Sequence, residues 1–282
     1  MSAFALTVTC RSTRGIVATI STYLAESGCN ITDSAQFDDR ETGNFFMRIS
    51  FNSETGTTLE QLSEGFGERA RPLGMDYAFH DETARMKVLI MVSRFGHCLN
   101  DLLYRWRIGA LPIDIVGVIS NHLDYQKLVV NHDIPFHYIK VTKANKAEAE
   151  ARQMAIVEET GAELVVLARY MQVLSTRMCE EMAGRVINIH HSFLPSFKGA
   201  KPYHQAYERG VKLIGATSHY VTEELDDGPI IEQTIAHVSH RDEVEDLIRK
   251  GRDTERLALA RALRLHLRRQ VMVYRGRTAV FA

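Results

Sequence analysis

The chain contains no apolar run of the roughly 20 residues that a bilayer-spanning helix takes. Its N-terminus lacks the basic stretch and apolar core of a secretory signal. No sign of charge dominates: 34 Lys+Arg against 35 Asp+Glu leave a formal net charge of −1. A global field that would favour nucleic acid or a membrane surface is therefore excluded. Cysteine is sparse, with Cys10, Cys29, Cys98 and Cys179 far apart and no C-x-x-C pair. That excludes a disulfide framework or zinc ribbon and reads as reduced thiols in a cytoplasmic protein. Low-complexity segments are absent. Glycine is missing where a dinucleotide or P-loop site needs it: Ser93-Arg94-Phe95-Gly96-His97 has one glycine, not G-x-G-x-x-G. His204 and His219 add no H-E-x-x-H spacing, and adjacent His190 and His191 on a strand face opposite ways, so no metal site is expected.

What is present is an ordinary globular composition, 45% hydrophobic and 24% charged over 282 residues. That length suggests about two domains. Residues 3–9 alternate as a strand. A helix opens at Arg14-Gly15-Ile16, with Ile16, Ile20, Tyr23 and Leu24 at helical spacing and Gly28 at its C-cap. Strands over 31–37 and 44–51, a helix over 59–69 and a strand over 75–80 complete a ferredoxin-like βαββαβ unit. The polar segment His80-Asp81-Glu82-Thr83-Ala84-Arg85 marks a linker. The expected domains are 1–80 and 86–282, with 81–85 between them.

The second domain alternates buried-type strands (86–92, 113–120, 135–139, 164–167, 186–189) with helices (from 98 to 106, 146–159, and one N-capped by Ser175). This predicts an α/β domain with a doubly wound, Rossmann-like parallel sheet. Strands over 215–221 and 230–236 flank a loop over 222–229. Residues 242–273 read as largely helical, with Leu257, Leu259, Leu263 and Leu267 as an apolar stripe.

Chemistry concentrates in two stretches. In Val186-Ile187-Asn188-Ile189-His190-His191-Ser192, side chains alternate across a strand, so Asn188 and His190 share one face and Ile189 and His191 the other. They sit at the carboxyl end, where open α/β sheets bind ligands. An amide N–H and an imidazole there can stabilise a developing oxyanion. Alone, the pair also fits a turn cap and a satisfied core histidine. The second stretch runs from His219 to Glu223-Glu224-Leu225-Asp226-Asp227-Gly228-Pro229. Charge runs are usually solvated, yet a tight Gly-Pro turn between two strands can return a carboxylate to the cleft, where it orients an imidazole.

Together these residues make the sequence resemble known families. Gly15-Ile16-Val17 and Leu24-Ala25-Glu26-Ser27-Gly28-Cys29-Asn30-Ile31 resemble an ACT domain. Arg11-Ser12-Thr13-Arg14 lacks the acidic residue and proline usual in that domain's first loop, so a small amino-acid effector and plain subunit pairing both stay open. Asn188-Ile189-His190, Ser192-Phe193-Leu194-Pro195 and the 219–229 stretch resemble the formyltransferases that use 10-formyltetrahydrofolate, over about residues 86–282.

That resemblance implies catalysis by Asn188, His190 and Asp226. It also implies a pterin held by the backbone of Gln172, Val173 and Leu174. His191, His219, Val221 and Gly228 would line or close the site. No metal or cofactor is implied beyond the folate substrate. Within the family, the 93–97 loop lacks the bare backbone of a ribonucleotide phosphate site, and His191 stands where those transformylases carry proline. The chain ends before a tRNA-binding domain would fit. The His190-His191 pair, with 197–207 and the ACT-like start, resembles the hydrolytic branch, in which water takes the formyl group. Transfer to an amine is the alternative. Lys198 and Lys201 read as solvated or as contacts to the folate's glutamate tail. A homodimer or homotetramer is expected, without nucleic acid or membrane.

Overall fold

Phe4, Leu6, Val8 and Cys10 alternate along β1 (Ser2–Arg11) and join one core with Ile16, Ile20 and Leu24 of α1 (Ile16–Glu26) and Leu62 and Phe66 of α2 (Leu59–Ala70). The computed structural model that shows this describes residues 2–194 and 202–282. β2 (Cys29–Asp39), β3 (Asn44–Ser53) and β4 (Asp76–Asp81) complete an antiparallel sheet in the order β2-β3-β1-β4. Two local devices fix the helices. Gly15, at φ 91°, admits the turn into α1 that a side chain would resist. Thr58 caps α2, accepting from the Gln61 backbone while the Gln61 side chain accepts from Thr58 N.

The second unit, Arg85–Arg264, is built on β5 (Met86–Val92). There follow α3 (His97–Arg107), β6 (Ile113–Ser120), α4 (Gln126–Val130), β7 (Phe136–Tyr138), α5 (Lys146–Thr160), β8 (Leu164–Leu167), α6 (Thr176–Glu181), β9 (Val186–His190), α7 (Pro202–Glu208), β10 (Leu213–Tyr220), β11 (Ile230–His237) and α8 (Val244–Leu267). The seven strands run β11-β10-β9-β8-β5-β6-β7. β5 to β9 are mutually parallel where they pair, and β10 is antiparallel to β9 and β11. The order reverses at β5, so the crevice at the carboxyl ends of β5 and β8 is where this architecture holds ligands. Both faces of β5 are covered: Leu89 and Met91 pack with Ile156, Val165 and Met178, while Val88, Ile90 and Val92 are equally buried. That explains the apolar run from Val88 to Val92. No described helix is long and apolar enough to cross a membrane.

The C-terminus departs from the sequence expectation. α8 stops at Leu267, not near 273, and Val271–Tyr274 (β12) and Arg277–Val280 (β13) form a hairpin. Arg269 takes the left-handed conformation at φ 54° beyond the helix, a position where glycine is the usual stop signal. Arg275 and Gly276 turn the hairpin at φ 46° and 72°. Met272 and Ala279 then bury against Phe46, so Leu265–Ala282 belongs to the first unit with the chain up to Ala84.

Candidate active site

Antiparallel pairing of β9 with β10 assembles the site. The register sets His219 opposite Asn188 and Thr217 opposite His190. Asn188 Nδ2 lies 3.2 Å from His219 Nε2, and His219 Nδ1 lies 2.8 Å from the Tyr220 carbonyl. A carbonyl only accepts, so Nδ1 carries the proton and Nε2 is left to accept one N–H of Asn188. The carboxamide is thereby fixed with its other N–H free. A bulge in the β10–β11 ladder falls at Ser218/His219, beside the site.

Asp226 returns from the β10–β11 loop with its backbone in the left-handed region, φ 54°. Its Oδ2 is 3.1 Å from His190 Nδ1 and its Oδ1 is 3.8 Å from His219 Nε2. Burial pushes the Asp226 carboxyl up, but the hydrogen bond from His190 Nδ1 outweighs this and holds it well below the usual carboxylate range. His190 is buried, and its Nε2 has no hydrogen-bond partner among the described residues. A buried, unpartnered ring nitrogen is costly unless something else is meant to meet it.

These side chains open on a cleft of about 270 Å³. Leu167, Met171, Val173, Leu174, Val221 and Leu225 give it an apolar wall. His191 also lines it. β9 ends at His190, so alternation no longer governs the next residue, and the His191 ring lies against that of His190 with centroids 5.0 Å apart. The expected opposite facing of the two imidazoles is therefore not what the structure shows.

Behind the cleft, Glu255 of α8 is only 1% exposed and gathers three partners. His97 Nε2 and Tyr203 Oη each lie 2.7 Å from its carboxylate, and Arg169 Nε lies 3.3 Å away. Arg169 holds a left-handed backbone, φ 65°, in the loop after β8. His97, Cys98 and Glu255 offer ligand atoms within 4.8 Å of one another. With the Arg169 guanidinium already on Glu255, a further cation there would meet like charge.

The family models agree with both halves of the chain: formyl transferase over residues 86–263 and ACT domain over residues 4–64. A formyltetrahydrofolate deformylase from Corynebacterium sp. (strain P-1) is 49% identical over 276 residues, covering 98% of this chain and 96% of that protein. The chain belongs to the formyltetrahydrofolate deformylase family. A crystal structure of a formyltetrahydrofolate deformylase from Pseudomonas syringae pv. tomato superposes with a TM-score of 0.97 at 48% identity, covering 100% of this chain and 95% of that one. Glycinamide ribonucleotide transformylase 1 from Symbiobacterium toebii matches at a TM-score of 0.66 and 28% identity, over 72% of this chain and 97% of its own.

In this deformylase-family fold, Asn188, His190 and Asp226 converge as drawn from the sequence. Gln172, Val173, Leu174, His191, His219 and Val221 line the same cleft. Gly228 does not: it packs beneath the loop, where an added Cβ would sit 1.8 Å from the Tyr220 carbonyl oxygen. Pro195, Lys198 and Lys201 lie outside the described residues. Sequence reasoning took Arg169, His97 and Tyr203 only as members of their local stretches, passed over Glu255, and did not bring the four together. They come from four separate elements, and no local pattern shows that they meet.

Proposed function

We propose that this chain hydrolyses 10-formyltetrahydrofolate to formate and tetrahydrofolate, with Asn188, His190 and Asp226 at the reacting centre. The observation that carries the reading is the buried, unpartnered Nε2 of His190 beside the free N–H of Asn188, with Asp226 on the opposite ring nitrogen. Two donors so placed fit an oxygen that gains negative charge. The apolar slot along Leu167–Leu174 and Val221 suits a flat heteroaromatic ring, with the backbone of Gln172, Val173 and Leu174 available to its polar edge.

In the reaction, the N10-formyl oxygen takes hydrogen bonds from Asn188 Nδ2 and from His190 as imidazolium. Asp226 accepts from His190 Nδ1, which orients the ring, and aligns a water on the formyl carbon. The water oxygen bonds to carbon, and the C–N10 bond then breaks. The electron pair leaves with N10, which receives the proton given up by the water. Every proton donor and acceptor in this scheme belongs to the chain, the water or the substrate, so the reading calls on no metal or further cofactor. The ACT unit is read as pairing copies of the chain into a homodimer or homotetramer, and a monomer by light scattering would reject that.

The deciding assay measures formate release from 10-formyltetrahydrofolate in buffer alone. Release without any added acceptor is expected. Tetrahydrofolate appearing only on addition of an amine would replace hydrolysis with formyl transfer, the chemistry named for the Symbiobacterium toebii relative.

A further inference from the structure

The apolar run of β5 ends at Val92, and the next residue, Ser93, is polar yet only 2% exposed. Ser93 does not line the cleft, but its hydrogen bonds reach the loop after β8 that does. Ser93 N donates to the Arg169 carbonyl at 3.2 Å, and Ser93 Oγ accepts from Met171 N at 3.0 Å. These two bonds hold the peptide units on either side of Tyr170, next to the left-handed turn at Arg169, φ 65°. An amide N–H only donates, so the hydroxyl oxygen is the acceptor for Met171, and its single proton goes to Asn121 Oδ1, 2.7 Å away. Asn121 follows β6 and is itself buried. One hydroxyl thus joins the carboxyl ends of β5 and β6 to the loop after β8, with its donor and its acceptor both used. The Tyr170 side chain is anchored separately, its hydroxyl accepting from Gln153 Nε2 at 2.8 Å.

We propose that Ser93, oriented by Asn121, is a positioning residue that sets the backbone of 172–174 for the heteroaromatic ring of the substrate. This rests on the reading above, in which the polar edge of that ring meets the backbone of Gln172, Val173 and Leu174. A non-glycine residue stays in the left-handed region only where its surroundings hold it there. Ser93 supplies that hold at the peptide units that follow Arg169, immediately before the segment that lines the cleft. Without it the turn can relax, and every backbone group beyond it shifts together. Hydrogen bonds to a bound ring weaken steeply once distance and angle depart from ideal. Asn188 and His190 stand on β9 and Asp226 on the loop after β10, and none of the Ser93 bonds touches them. Ser93 therefore acts on substrate holding and not on the reacting centre.

The test is equilibrium binding of 10-formyltetrahydrofolate to the full chain, followed by fluorescence in an Asp226→Asn background so that the ligand is not consumed. Steady-state hydrolysis is measured for the same changes in otherwise wild-type protein. Ser93→Ala should weaken binding and raise KM by about tenfold or more, the effect of one buried polar group left unmet. Its kcat at saturating substrate should stay within about threefold of wild type, because the interaction lost is one made before the transition state. A purely structural role would instead lower kcat through loss of folded enzyme and leave KM in place. Ser93→Thr, which keeps a hydroxyl on Cβ, should recover most of the lost affinity. Hydrogen exchange of the Met171 amide, read by NMR without substrate, should quicken by about tenfold or more in Ser93→Ala. If Ser93→Ala does not fold, Asn121→Ala takes its place. That variant leaves the hydroxyl and removes only the group that orients it, and should weaken binding by about threefold or more. Unchanged affinity in the folded variant, or a fall in kcat with KM unmoved, would overturn the proposal. A wild type that binds the folate without releasing formate would reject the hydrolytic reading alone, whereas one that does not bind it would overturn both.

Discussion

At the scale of single residues, the site turns on the one carboxylate that reaches back to His190. Asp226 sits at φ 54°, a conformation that asparagine adopts at least as readily as aspartate and that alanine resists. Asp226→Asn therefore removes the charge and leaves the loop in place. Its kcat should fall by about 10²–10⁴-fold, the range typical of a lost proton-transfer group, while folate binding, followed by fluorescence titration, changes little. Asp226→Ala adds backbone strain of about 1–3 kcal/mol and should weaken folate binding as well. Undiminished turnover of Asp226→Asn would remove the residue from the reaction. Asn188→Ala deletes one of the two oxyanion donors, and its kcat should fall by about 10²–10³-fold. It also leaves His219 Nε2 without its donor, so KM is informative only beside a melting curve.

Elements decide where those residues meet, and here the sequence was legible in part. The apolar run ending in Asn188-Ile189-His190 announces a buried strand with polar residues at its ligand end, because alternation is a local property. The pairing of Asn188 with His219 is not local: it depends on the antiparallel register of β9 against β10 and on the bulge at Ser218/His219. The same limit hides the Glu255 group, whose members come from α3, the loop after β8, α7 and α8. The C-terminal hairpin was readable in principle from Arg275-Gly276 between alternating strands, but the left-handed Arg269 gave no glycine to stop the helix before it. Gly228 shows how tightly the β10–β11 loop is tied down. The Tyr220 carbonyl that a Cβ would strike also accepts from His219 Nδ1, and Tyr220 N donates to the Pro229 carbonyl. In Gly228→Ala the backbone must move, because no flexible side chain is available to yield. Overpacking of this kind costs about 1–3 kcal/mol. The cost falls on the segment that carries Asp226, so kcat/KM should drop at least ~10²-fold together with a lower melting temperature. A variant with wild-type activity would mean that the loop closes on Asp226 without this contact.

For the whole molecule, the histidines set how it meets acid. His80, His191 and His266 are each held down to about 4, burial being the largest cause in every case, with Arg269 and Arg48 adding to it at His80, Arg169 and His190 at His191, and Arg269 at His266. In the unfolded chain the same groups titrate near 6.5. Between about pH 6.5 and 4 the unfolded chain therefore takes up protons that the folded chain refuses, and stability falls as pH falls through that window. The carboxylates act later. Asp226, Asp242 and Glu255 are held below their usual range, so their contribution is intact above about pH 4 and is lost beneath it. Allowing for the solvent that still reaches these rings, each histidine contributes on the order of 1–2 kcal/mol across its window. At about 2–4 °C per kcal/mol for a chain of this size, the melting temperature should drop by roughly 10 °C from pH 7 to pH 4.5. Replacing His80 and His266 with glutamine should remove about two-thirds of that slope and leave the steeper carboxylate loss below pH 4 unchanged. A melting temperature that stays flat from pH 7 to 4.5 in the wild type would mean that these rings already bind protons in the folded state.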